Sequence, residues 1–284
     1  MKKTKTQKYD EEFYVGYFPQ APVLTRLFIQ KFVIALGILI VCAAGVVVMQ
    51  QNPFSTAQFD FEKNTAIEGY LMKVPVPHLR YSIGMDINGK QLYQSVVLVR
   101  QGKMGASDLI REMEARVGNA DGKQVSITGN LIYGDGKVLL QVGTADDIRI
   151  VEGDDAFVER TSVVETKFGG IGEVVDPKCF FGVMKPGEGK PHRSCAIRCI
   201  AGGIPPVFHT ESSEYFLLVG ENYEMINQEI LPIVGDRIRL EGVVVTVDDW
   251  KILKIPVAKV RNLAEFRQRV NLLKSSHKEL TFCY

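Results

Sequence analysis

Phe32 to Met49 reads FVIALGILIVCAAGVVVM, eighteen residues without a charged or strongly polar side chain. Carried on through Gln50 and Gln51, the run reaches the ~20 residues a helix needs to cross a bilayer. A core helix of a water-soluble domain keeps a polar stripe, and this segment has none. Lys2, Lys3, Lys5, Lys8, Arg26 and Lys31 precede it, whereas the first charge beyond it is Asp60 and Lys63 is the only base before Lys73. The positive-inside rule then puts residues 1–31 in the cytoplasm as a tail, makes 32–51 a single membrane anchor, and sends the rest across. A cleaved signal peptide is the alternative, because Ser55-Thr56-Ala57 offers small residues after the apolar run. The run is longer than a usual signal core and 31 residues stand before it, which favours a retained anchor. Cys42, inside the span, reads as a small apolar filler. In the tail, YVGYFPQAP (Tyr14 to Pro22) is broken by proline and reads as a segment on the membrane surface or on a partner subunit, or equally as a disordered tail with interfacial aromatics.

This orientation places Cys179, Cys195, Cys199 and Cys283 in an oxidising space where disulfides persist. A bacterial inner membrane, with the bulk of the chain in the periplasm, fits best. A net charge of +1 and 24% charged residues provide no basic surface, so nucleic acid is excluded as an expected partner.

Beyond a linker expected over residues 52–64, the chain turns β-rich and resembles itself. GKQVSITGNLIYGDGKVLLQV (Gly122 to Val142) aligns without a gap on GDRIRLEGVVVTVDDWKILKI (Gly235 to Ile255). Each opens on a glycine, carries a second glycine seven residues later (Gly129, Gly242), and turns on two residues, Asp135-Gly136 or Asp248-Asp249. Asp-Gly is a favoured hairpin dipeptide, and a mid-strand glycine marks the bend a small barrel needs to close. Looser matches upstream pair AIEGYLMKVPV with GIGEVVDPKCF and SVVLVRQG with YFLLVGEN. The expected fold is therefore mainly β: the membrane helix, then two repeated OB-like barrels of five strands over 66–151 and 168–261, joined by 152–167. Helices are expected at Ala106 to Val117 and, from Leu263, Phe266, Val270 and Leu273, over Asn262 to Leu273 within a C-terminal segment 262–284.

Three of the five cysteines fall in CFFGVMKPGEGKPHRSCAIRCIAGGIPP, Cys179 to Pro206, in the second copy only. Pro191 suits the first position of a helix, and Gly202-Gly203 with Pro205-Pro206 stops it. On a helix from Pro191 to Ala201, His192, Cys195 and Cys199 stand at i, i+3 and i+7, within about 60° of one another. Cys179, delivered by the preceding loop, can approach that face. Three thiols and an imidazole form a tetrahedral set for zinc or Cu(I), with Met184 as a further soft ligand for copper. Three chemistries stay open: a disulfide from Cys179 to Cys195 or Cys199, a metal or haem-type site, and free thiols with a redox or attachment role. The disulfide arrangement stands first among them. Asp176, Lys178, Lys185, Lys190 and Arg193 read as a solvated rim. His78 reads as a surface turn residue, His209 as part of a strand lead-in and His277 as part of a polar tail. Paired carboxylates, including Asp146-Asp147, Asp154-Asp155 and Asp248-Asp249, are assigned turn chemistry. No nucleophile elbow, P-loop, dinucleotide fingerprint or His-Glu-x-x-His occurs, so no catalytic residue is assigned and the chain is not expected to be an enzyme.

VDPKC, then HRSCAIRC, then GGIPP resembles a motif of bacterial membrane-anchored or exported proteins that carry it on an OB-like domain. The resemblance implies an envelope location and supplies no activity. Residues and resemblance together lead to the expectation of an accessory or assembly subunit of an envelope complex, respiratory or redox in kind. Its OB-like domains would bind protein partners and its Cys/His loop would be stapled by a disulfide. The alternative is a metal- or haem-handling protein using Cys179, His192, Cys195 and Cys199, with zinc, copper or haem as the cofactor.

Overall fold

The computed structural model describes residues 23–50, 57–151, 164–182, 184–263 and 265. It divides into two units, one ending at Phe54 and one running from Ser55. In the first, helix α1 spans Val23–Gln50, and its Thr25–Met49 stretch is long and apolar enough to cross a membrane. The helix starts nine residues before the expected Phe32. Hydropathy marks the length of a span and not the extent of a helix, so Thr25 to Lys31 continue the same helix on the polar side. Tyr14 to Pro22 lies outside the described residues.

In the second unit the first barrel uses β1 (Gln58–Met72), β2 (His78–Met85) and β3 (Gln91–Arg100), then β5 (Gln124–Gly134) and β6 (Lys137–Val142) after the short β4 (Met104–Gly105). Strand order β1-β2-β3-β6-β5 closes through the pairing of β5 with β1, and only the β3–β6 contact among these is parallel. β7 (Ile148–Ile150) adds to β5, and helix α2 (Ser107–Val117) connects the third and fourth barrel strands. The second barrel repeats this order with β8 (Glu165–Val175), β9 (Val207–Thr210), β10 (Tyr215–Gly220), β11 (Arg237–Val247) and β12 (Trp250–Ile255), with β10 and β12 parallel. These are two five-stranded OB-like barrels, the expected architecture.

The two aligned hairpins occupy matching places as fourth and fifth strands. A Cβ on Gly129 would run into the carbonyl oxygen of Gln141, and one on Gly242 into that of Lys254. The glycines thus let the fifth strand press close where the barrel bends. Two boundaries differ from expectation. β1 begins at Gln58, inside the stretch read as a linker, because Phe59 pairs with Ile132 across a bulge before Asn64 resumes the ladder. β8 begins at Glu165, three residues before the expected unit. Residues 257–263 are helical, and the rest of the helix expected over 262–273 lies outside the described residues apart from Glu265.

The third strands explain how the barrels meet. On β3, Val96 and Leu98 enter the first barrel's core, while Val97 and Val99 face the second barrel. On β10, Phe216 and Leu218 fill the second core, while Leu217 and Val219 face the first barrel. Strands buried on both faces carry continuous apolar runs, which is why SVVLV and YFLLV lack alternation. Trp250, 1% exposed, joins this third core and donates from Nε1 to the Ser95 carbonyl at 3.1 Å.

A candidate metal centre at the barrel junction

Between β8 and β9 the chain inserts two helices, α3 (Pro177–Phe180) and α4 (Gly189–Ala201); α5 (Asn227–Ile230) follows β10. Local chemistry sets each position. Asp176 ends β8 as an N-cap, its Oδ1 accepting from the backbone N–H of Lys178 at 3.0 Å and of Cys179 at 3.4 Å. Pro177 fills the first helical position, where a missing N–H costs nothing. Cys179 is thereby held one turn from the strand end. α4 begins two residues before the expected Pro191, at Gly189, whose N–H donates to Glu173 Oε1 at 2.5 Å. It ends as expected, with Gly202 as C-cap and Gly203 at φ 96°.

The arrangement brings the three thiols together. Cys179, Cys195 and Cys199 offer sulfurs that all lie within 4.8 Å of one another, with Cys179 and Cys195 3.9 Å apart. Cys199 is buried, and the other two are half-buried. No disulfide joins these cysteines among the described residues. His192, 5% exposed, belongs to a second set with Asp176 and Cys179, again within 4.8 Å. Its Nε2 lies 3.8 Å from Asp176 Oδ2, and neither buried atom has a hydrogen-bond partner among the described residues.

Lysines complete the electrostatics. Lys103, on the turn between β3 and β4 of the first barrel, donates from Nζ to Cys195 Sγ at 3.2 Å, a contact that holds its ammonium above the usual lysine range. Lys178 donates to the carbonyls of Arg100 at 2.8 Å and Gly102 at 2.7 Å. Burial pulls its pKa down, opposed by Asp176 and the thiols. Hydrogen bonding with Cys199 and burial push the Cys179 thiol far above the ordinary range. A bound cation inverts that preference, because thiolate is the ligand form.

The expected solvated rim is therefore wrong for two members: Asp176 and Lys178 are buried, as a helix cap and as a tie to the first barrel. Arg193 pairs with Asp236 at 2.9 Å and donates to the Pro232 carbonyl at 2.9 Å. Lys185, Lys190 and Met184 are exposed. His78 is no surface residue; it is 4% exposed at the start of β2 because Val76 and Val97 on either side belong to the junction core. His209 sits in β9, its Nδ1 3.0 Å from Glu188 Oε2 and its ring stacked on Tyr215. His277 and Cys283 lie outside the described residues.

The sulfur spacing fits a soft ion. Tetrahedral thiolates at about 2.3 Å from zinc stand about 3.8 Å apart, close to the Cys179–Cys195 separation. Two contributors lacked a sequence signal as site residues. Asp176 was read only as part of a solvated rim, and Lys103 comes from the other barrel. No protein family model, curated protein or solved structure matches this chain, so the reading rests on the geometry.

Proposed function

We propose that this chain is a membrane-anchored protein that holds a soft metal ion, zinc or Cu(I), on Cys179, Cys195 and Cys199 at the junction of its two barrels. The convergence of the three sulfurs carries this reading. Sulfurs from two separate helices meet there, and a lysine of the first barrel contacts one of them. An ion in that place ties α3 to α4 and α4 to the neighbouring barrel. In the proposed topology the N-terminus is cytoplasmic and the barrels stand outside the inner membrane of a bacterial envelope, as the flanking lysines support. The barrels then act as docking modules of an envelope assembly. Ile83, Met85 and Ile87, exposed at the β2–β3 hairpin, support this as an apolar tip that the described residues leave uncovered.

The test uses the full chain in detergent, purified anaerobically without reductant, with bound metal and free thiols measured on the same sample. Zinc or copper at one or more ions per chain, lost in Cys195→Ala, supports the reading. Metal-free protein with Cys179 and Cys195 joined as a disulfide overturns it in favour of a stapled docking loop.

A further inference from the structure

Asp176 is 0% exposed and His192 5% exposed, and the site as described so far uses neither Asp176 Oδ2 nor His192 Nε2. A buried carboxylate oxygen and imidazole nitrogen with no hydrogen-bond partner among the described residues carry an uncompensated desolvation penalty. Asp176 and His192 each bring a donor atom within 4.8 Å of Cys179 Sγ, the same sulfur that completes the three-thiol set. The five donors therefore form two trios that share one sulfur. A tetrahedral ion takes four donors at about 2.0–2.3 Å, so an ion on the three sulfurs accepts at most one of Asp176 and His192 as its fourth ligand and leaves the other unsatisfied.

We propose that the junction holds two divalent ions of the zinc class, bridged by the Cys179 thiolate: one on Cys179, Cys195 and Cys199, the other on Asp176, Cys179 and His192. The proposal rests on the metal reading above and narrows it. A carboxylate and an imidazole beside a thiolate suit zinc-like ions better than Cu(I), which prefers sulfur. Charge agrees, since two divalent cations balance three thiolates and one carboxylate. Binding releases the thiol protons to solvent and involves no redox step. Asp176 serves twice, because Oδ1 caps α3 and fixes the direction in which Oδ2 points. It is the arrangement in which a ligand is oriented by the backbone it caps.

Full-length protein in detergent, stripped with a chelator under reducing conditions, is titrated with Co(II) and then with Zn(II). The expected result is a break at two equivalents, with thiolate-to-cobalt absorption from the first and magnetic coupling on the second that suppresses the cobalt paramagnetic signal. His192→Ala and Asp176→Asn each reduce binding to one equivalent while keeping the absorption of the three-sulfur site. Asn retains the capping oxygen, and unchanged Trp250 emission in the metal-free variants shows that the junction still folds. One equivalent in the native chain, unaffected by His192→Ala but lost in Cys195→Ala, overturns the second ion and leaves the first reading intact. One equivalent lost in both variants means a single mixed site and also overturns it. No binding at all overturns both.

Discussion

Asp248 sits in the two-residue turn between β11 and β12 at φ 51°, where asparagine and aspartate are tolerated best. Its carboxylate takes a paired grip from Arg80, with Nε and Nη2 each at 2.7 Å, and a further bond from Ser95 Oγ at 2.9 Å. Beside it, Asp249 accepts from the Ser95 N–H at 2.8 Å, and the Lys137 ammonium reaches the Asp249 carbonyl. The turn of the second barrel is thus a plug in the first, with the Arg80 and Asp248 side chains only 4% and 3% exposed. Asp248→Asn keeps the turn and removes the charge, leaving Arg80 buried without its counterion. A loss of about 3–5 kcal/mol in denaturant unfolding is expected; a change below ~1 kcal/mol would show the pair to be incidental. At this scale the sequence was half legible. His192, Cys195 and Cys199 could be set on one face because helical spacing is local. The roles of Asp248, Asp249 and Lys103 could not be read, because their partners lie on the other barrel, 168 residues away for Arg80 and Asp248.

Helix α4 shows how an element can be read correctly for an incomplete reason. Gly202-Gly203 signals a helix stop, and the helix stops there. Yet Gly202 has φ −77°, which alanine adopts without strain. What excludes a side chain is the first barrel: a Cβ on Gly202 would run into the Lys103 carbonyl, and the Gly105 N–H donates to the Gly202 carbonyl at 2.9 Å. From backbone conformation alone, Gly202→Ala should be neutral or slightly stabilising. The clash predicts the opposite, a loss of about 1–3 kcal/mol, and a weaker grip on metal because the displaced turn carries Lys103. A variant as stable as the native chain would remove this account of the helix end. Element edges were misplaced where composition and geometry diverge. α1 outruns its apolar core, and β1 starts within a polar stretch that pairs through its backbone, which side-chain pattern does not report.

For the whole molecule, barrel number and class were visible in the spacing of glycines and hairpin turns, because a small barrel must bend at fixed places. The junction was not visible, since an apolar run buried on two faces looks the same whichever neighbour covers it. Val97, Val99 and Leu139 of one barrel form a single core with Leu217, Val219 and Ile252 of the other. The two barrels should therefore unfold as one cooperative body. Trp250, the only tryptophan, lies in that shared core and reports on it alone. Its emission change on heating should coincide with the loss of far-ultraviolet circular dichroism, whereas an early fluorescence transition would mean that the barrels part before they melt. The central claim, that sulfurs gathered at this junction hold a soft metal ion, is tested most directly by X-ray absorption at the metal edge of the full-length protein. The account predicts a shell of sulfur scatterers at about 2.3 Å that disappears in Cys195→Ala; a shell of oxygen and nitrogen alone, unchanged by that substitution, would contradict it.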